Sequence, residues 1–161
     1  MTDGLILGSV FSPKNTTFIG TWNVRTLNQT GRLAQLLREF DNYRLDILGI
    51  SEVRWIGSGR MTSENKTVLF SGHEAKHERG VGFILNKRAV SALDGWKPIS
   101  DRIITARFVT RHTRITVIQV YAPTENADDD TKSEFYGLLQ GTLDETPEEI
   151  SKLFSGTSTL S

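Results

Sequence analysis

Thr21-Trp22-Asn23-Val24-Arg25-Thr26 and, further along, Ile50-Ser51-Glu52-Val53-Arg54-Trp55 each close an apolar run with a polar side chain. A buried strand delivers a catalytic group to the rim of a sheet in this way. Its apolar residues fix its place in the core, and the first polar side chain beyond them reaches the edge. Gln119-Val120-Tyr121-Ala122-Pro123 repeats the pattern.

Between the first two runs, Leu33, Leu36, Leu37 and Phe40 fall at helical spacing behind Thr30, a residue type that caps helices. Residues 31–40 therefore read as an amphipathic helix. The flanking strands are 17–24, rich in β-branched and aromatic residues, and 45–51, a near-continuous apolar run broken only by Asp46 and Gly49. Strand, helix and strand in this order predict a crossover unit with parallel, buried strands. Asn23 and Glu52 then share one edge of one sheet. The residue types alone leave their roles open: an Asn after a strand also begins turns, a strand-end Glu also serves as a plain surface residue, and a Tyr before Ala-Pro also packs.

The wording TWNVRTL, LDILGISEVRW, GVGFIL, SDRIITARF and VIQVYAPT resembles the endonuclease/exonuclease/phosphatase superfamily, the metal-dependent phosphodiesterases of DNase I-like fold. Within it the wording is most similar to endonuclease domains of non-long-terminal-repeat retrotransposons and to craniofacial development protein 2-like proteins, over about residues 17–140. The resemblance implies an α/β fold, a four-layer sandwich of two face-to-face sheets with helices outside. It also implies roles: Glu52 as metal ligand, Asn23 as the residue that orients the site, and Tyr121 as the hydroxyl that approaches the scissile phosphate. The implied cofactor is magnesium or manganese and the implied partner nucleic acid, with DNA favoured by the retrotransposon-like phrases. Magnesium is held through one or two carboxylates plus waters, so a lone Glu at a sheet edge suits a shared, hydrated ion.

Two of the superfamily's phrases have no counterpart here. They are a Gly-Asp-Phe/Met-Asn segment and a final Ser-Asp-His segment; the three histidines, His73, His77 and His112, are not preceded by Asp. The sequence thus reads as the amino-terminal half of the fold, truncated to about one sheet with its helices. Val81, Phe83, Ile115, Val117 and Val120 would then lie on an uncovered sheet face open to self-association. Two functions compete: a metal-dependent phosphodiesterase or DNA endonuclease of weak or absent activity in this chain, and a non-catalytic remnant that binds metal or nucleic acid.

The remaining chain is read more briefly. Residues 1–16 form a loosely ordered lead-in, 17–146 the partial domain, and 147–161 a disordered tail. Residues 56–65 read as a polar loop, 67–71 and 80–86 as strands, 87–93 as a short helix before the Gly95 and Pro98 breaks, 102–109 and 113–121 as a hairpin, and Phe135, Leu138, Leu139 and Leu143 as the stripe of a last helix. Gly80 and Gly82 mark close backbone approach rather than a dinucleotide loop. His73 and His77 lie four apart without a helical face, which favours a solvated loop over a metal pair. Arg102, Arg107, Arg111 and Arg114 could form a cationic stripe on the hairpin or merely solubilise it.

Composition excludes some classes. No cysteine is present, which removes disulfides, thiolate catalysis and zinc ribbons. Nineteen basic residues balance nineteen acidic ones, so net charge gives no support for a nucleic-acid partner. No apolar run approaches the roughly 18 residues of a membrane span. Nucleus or cytoplasm is the expected location.

Overall fold

The computed structural model describes residues 3–6, 17–111, 114–146 and 149–155, the first and last stretches by their backbone alone. A short strand, β1 (Asp3–Ile6), precedes the crossover unit of β2 (Phe18–Asn23), α1 (Arg32–Asn42) and β3 (Ile47–Ser51). β2 and β3 pair in parallel, with Asn23 opposite Ser51. Parallel neighbours need a long return path, and α1 supplies it. The helix begins without the hydroxyl cap expected from Thr30: Gly31 precedes it at φ 84 with no side-chain cap. Glycine enters that left-handed turn without a Cβ penalty.

The chain continues as β4 (Ser58–Ser63), β5 (Lys66–Ser71), β6 (Val81–Leu85), α2 (Lys87–Ala92), β7 (Leu93–Ser100), β8 (Ile103–Val109), β9 (Arg114–Tyr121), α3 (Asp129–Asp144) and β10 (Glu149–Ser155). One sheet runs β1-β2-β3-β6-β5-β4 and the other β10-β9-β8-β7. The expectation of about one sheet is therefore corrected to two, packed face to face. Ile19, Ile47, Leu69, Val81, Phe83 and Leu85 from the first meet Ile104, Ala106, Phe108, Ile115 and Val117 from the second in one buried cluster. Val81, Phe83, Ile115 and Val117 are buried against the opposite sheet, and Val120 is buried on the other face of β9, so none lies on an uncovered face.

Helices close the sandwich on both outer faces. Leu36, Leu37 and Phe40 of α1 pack on Leu48, Ile50, Val68 and Ile84; Phe135 and Leu139 of α3 pack on Ile103, Ile118 and Val120. The result is the four-layer α/β arrangement. The alternation along β9 explains it: Ile115 and Val117 face the opposite sheet while Ile118 and Val120 face α3.

Four strands escape the sequence reading. The backbone of β1 pairs antiparallel with β2 where a loosely ordered lead-in is expected. β4 replaces the expected polar loop; it is an edge strand of half-exposed polar residues, paired with β5 through a turn in which Glu64 and Asn65 have φ 50 and 66. β7 runs through Gly95 and Pro98, and as the edge of its sheet it can lack the proline N–H. The backbone of β10 pairs in parallel with β9 where an unstructured tail is expected from 147 onward. Gly82 is a close approach as read: a Cβ there would lie 2.5 Å from the Leu69 carbonyl oxygen.

Candidate functional site

The β2–β3 ladder continues past the strand ends and holds the rim of the sheet. Val24 N–H donates to the Ser51 carbonyl at 3.0 Å and Leu27 N–H to the Val53 carbonyl at 2.9 Å. Val53 is buried, and its N–H and that of Arg54 donate to the carbonyls of Gly80 and Arg79 at 3.2 and 2.8 Å. The residues flanking Val53 are forced into left-handed backbone, Glu52 at φ 58 and Arg54 at φ 61. Such conformations cost on the order of 1–3 kcal/mol and persist only where the surroundings over-determine them. Here the buried Val53 and its paired amides do so, and they fix where the Glu52 side chain leaves the chain.

Glu52 meets Tyr121 from the other sheet. The Tyr121 hydroxyl donates to Glu52 Oε1 at 3.2 Å, and Arg54 Nη2 lies 3.6 Å from the same oxygen. Tyr121 is anchored from behind: its N–H donates to the Arg102 carbonyl at 2.8 Å, and the Arg102 guanidinium donates back to the Tyr121 carbonyl at 3.1 Å and lies 5.6 Å from the ring centroid. Burial raises the Tyr121 pKa, and the charge of Glu52 and the hydrogen bond to it raise it further, against smaller opposing effects of Arg102 and Arg54. The phenol thus stays protonated at neutral pH and remains a hydrogen-bond donor. Burial, followed by the nearby Arg79 charge, lowers the Arg102 pKa.

Below this pair the core turns polar. Thr21 Oγ1 donates to Gln119 Oε1 at 3.3 Å between the sheets, and the Ser51 hydroxyl is buried with no partner among the described residues. Asn23 sits on the same rim, one strand from Glu52, but its Oδ1 accepts the Arg25 N–H at 3.1 Å. That contact is the turn-forming role left open by its residue type. The structure therefore brings Glu52 and Tyr121 into contact and places Asn23 on the neighbouring strand end, opposite Ser51 and engaged with its own turn.

Arg54 and Arg102 complete the pair and were not singled out for it by the sequence. The signal for Arg54 is its place two residues beyond Glu52 with a buried Val between them. Arg102 does not belong to a stripe: it stands at the Tyr121 end of the β8–β9 hairpin, Arg114 stands at the other end, and Arg107 pairs with Asp94 at 3.2 Å. His73 and His77 are loop residues, His73 Nδ1 accepting the N–H groups of Ala75 and Lys76 at 3.0 Å and His77 Nδ1 lying 3.0 Å from the Arg54 carbonyl. His112 lies outside the described residues. Asp46 is structural, accepting the Phe18 N–H at 2.9 Å and the Asn86 side-chain amide at 2.7 Å at the opposite end of the strands from the site.

A divalent ion fits this rim only loosely. Among the described residues no three His, Cys, Asp or Glu side chains cluster in a way that would hold a metal. Glu52 offers one carboxylate, with Tyr121 and Arg54 both on Oε1. That suits a hydrated magnesium ion held through a single carboxylate, and not a closed cage.

Comparison with known proteins agrees with the fold. No family model matches the chain. Craniofacial development protein 2 from Tragulus javanicus and from Bos taurus is 41% identical over 136 residues, which is 84% of this chain and 23% of each relative. The chain thus spans about a quarter of the length of the curated relatives it matches. Three solved structures share the fold at low identity. The endonuclease domain of TRAS1, a telomere-specific non-LTR retrotransposon, superimposes with TM-score 0.56 at 17% identity, covering 86% of this chain and 57% of that one. TDP2 from D. rerio, complexed with a single-strand DNA product, gives 0.55 at 14% over 86% and 58%. An endonuclease/exonuclease/phosphatase family protein from Leptotrichia buccalis gives 0.55 at 14% over 84% and 65%. No helix among the described residues is long and apolar enough to cross a membrane.

Proposed function

This chain has the DNase I-like fold of the endonuclease/exonuclease/phosphatase proteins, and on that premise we propose that residues 17–146 are the metal-holding, phosphate-orienting part of a DNA phosphodiesterase site of retrotransposon type. The observation that supports this reading most is the Tyr121–Glu52 contact at 3.2 Å, formed between the ends of two different sheets.

Phosphodiester hydrolysis needs charge neutralisation on the phosphate, orientation of its oxygens, and a group that takes a proton from water. Glu52 would hold a hydrated magnesium or manganese ion, which supplies the first when bound. Tyr121, kept protonated by its surroundings, has a hydroxyl free to turn from Glu52 to a phosphate oxygen and orient it. Arg54 and Arg102 add positive charge to the rim, where a nucleic-acid backbone would lie. Asn23, on the neighbouring strand end, keeps the rim's turn in place.

None of these side chains is suited to take the proton. Loss of such a group commonly lowers a rate by roughly 10² to 10⁴, so this chain alone should nick plasmid DNA no faster than background in magnesium. A chimera that adds the part of craniofacial development protein 2 following the matched region should nick, and Glu52→Ala in the chimera should abolish nicking. Nicking by the chimera that survives Glu52→Ala would refute the role of Glu52. The alternative, a non-catalytic binding module, draws on the lack of any cluster of three metal-ligating side chains among the described residues and on the engagement of Asn23 with its own turn. A chimera that binds DNA yet never nicks would favour it.

A further inference from the structure

Arg54 lies where a cation ligand of Glu52 would have to compete with it. Its Nη2 is 3.6 Å from Glu52 Oε1, the oxygen that also accepts the Tyr121 hydroxyl. The backbone of Arg54 is pinned, its N–H on the Arg79 carbonyl at 2.8 Å and its carbonyl 3.0 Å from His77 Nδ1. The side chain is not pinned: it is 41% exposed and its contact with Glu52 is long. A fixed root with an exposed charged head on a long contact is the geometry of a counter-ion that can leave.

We propose that Arg54 is a resident counter-ion of Glu52, which a divalent cation must displace and which a phosphodiester then receives; this rests on the reading of Glu52 as the metal-holding carboxylate. Two unit charges near one carboxylate oxygen repel, so Arg54 weakens cation binding in the free protein. Guanidinium recognises phosphate oxygens through paired N–H donors, which gives the displaced side chain a partner once a phosphate is present. Exposed ion pairs are worth little, so the displacement is easy. The arrangement keeps the lone carboxylate satisfied without metal and ties loading of the ion to arrival of the substrate.

The test is manganese binding, read as loss of the free-ion electron paramagnetic resonance signal, by the full chain and by Arg54→Gln, Arg54→Lys and Glu52→Gln variants of matched thermal stability. Arg54→Gln should bind manganese several-fold more tightly than the wild type. Arg54→Lys, which keeps the charge, should stay close to the wild type, and Glu52→Gln should remove the site in either background. Glu52-dependent binding that is unchanged or weakened in Arg54→Gln would overturn the counter-ion role and leave the metal reading standing. Absence of any Glu52-dependent binding in both proteins would overturn the two together.

Discussion

The Tyr121 hydroxyl reaches Glu52 Oε1 at 3.2 Å although the two residues are 69 positions apart and belong to different sheets. Tyr121 ends β9 and Glu52 follows β3, so the contact exists only when the two sheets are stacked in the right register. It reports on the whole fold.

The pair makes tyrosine ionisation a probe. Tyr121 has a raised pKa in the folded protein, first from burial and then from Glu52. A raised folded value means that the stabilisation from the neutral phenol is complete below the ordinary tyrosine value of about 10 and is lost as pH climbs through the higher folded value. In an ultraviolet titration Tyr121 should ionise above the ordinary tyrosine value, and Tyr121→Phe should delete that late step. Glu52→Gln should lower it only part of the way, because burial remains. A late step that persists in Tyr121→Phe would show that the pair does not form in solution.

The left-handed backbone of Glu52 yields a second expectation. Glu52→Gly and Glu52→Ala both delete the carboxylate, and in ordinary backbone the glycine variant would be the less stable. At φ 58 the order should reverse, with Glu52→Gly the more stable in denaturant melts by about 1 kcal/mol. Glu52→Ala equal to or more stable than Glu52→Gly would mean that the rim turn is not as described.

Asp46 separates structural from functional carboxylates. It is buried at the start of β3, accepts two hydrogen bonds and lies 3.8 Å from Arg88 Nε. Asp46→Ala strands those donors and should cost about 3 kcal/mol, while leaving any metal binding at Glu52 intact in the fraction that folds. A cost below about 1 kcal/mol would contradict the clamp.

The crossover unit was legible because its strands are buried on both faces and its helix has a clear apolar stripe; these are strong period signals. Glu52 and Tyr121 were legible as the polar ends of such runs, and the resemblance named both. β4 and β7 were not, since edge strands carry polar residues, glycine and proline that read as loop. The second sheet was under-counted for a related reason: without β7 and β10, β8 and β9 read as a lone hairpin rather than the centre of a sheet. The Arg54 contact was beyond reach, because it depends on a positive-φ pair around Val53 that no residue type announces. Asn23 shows the limit of position alone, for its residue type at a strand end offers both a site role and a turn role, and it is the turn with Arg25 that the structure shows.

The central claim is that Glu52, with Tyr121 against it, is where a divalent ion meets this chain. Magnesium titration followed by amide NMR tests it directly. The amides of residues 51–53, Asn23 and Tyr121 should shift first, weakly and without saturation at low millimolar magnesium, as one carboxylate with waters implies. First shifts at Asp128, Asp129 and Asp130, the acidic start of α3, with the Glu52 rim unmoved, would contradict the account.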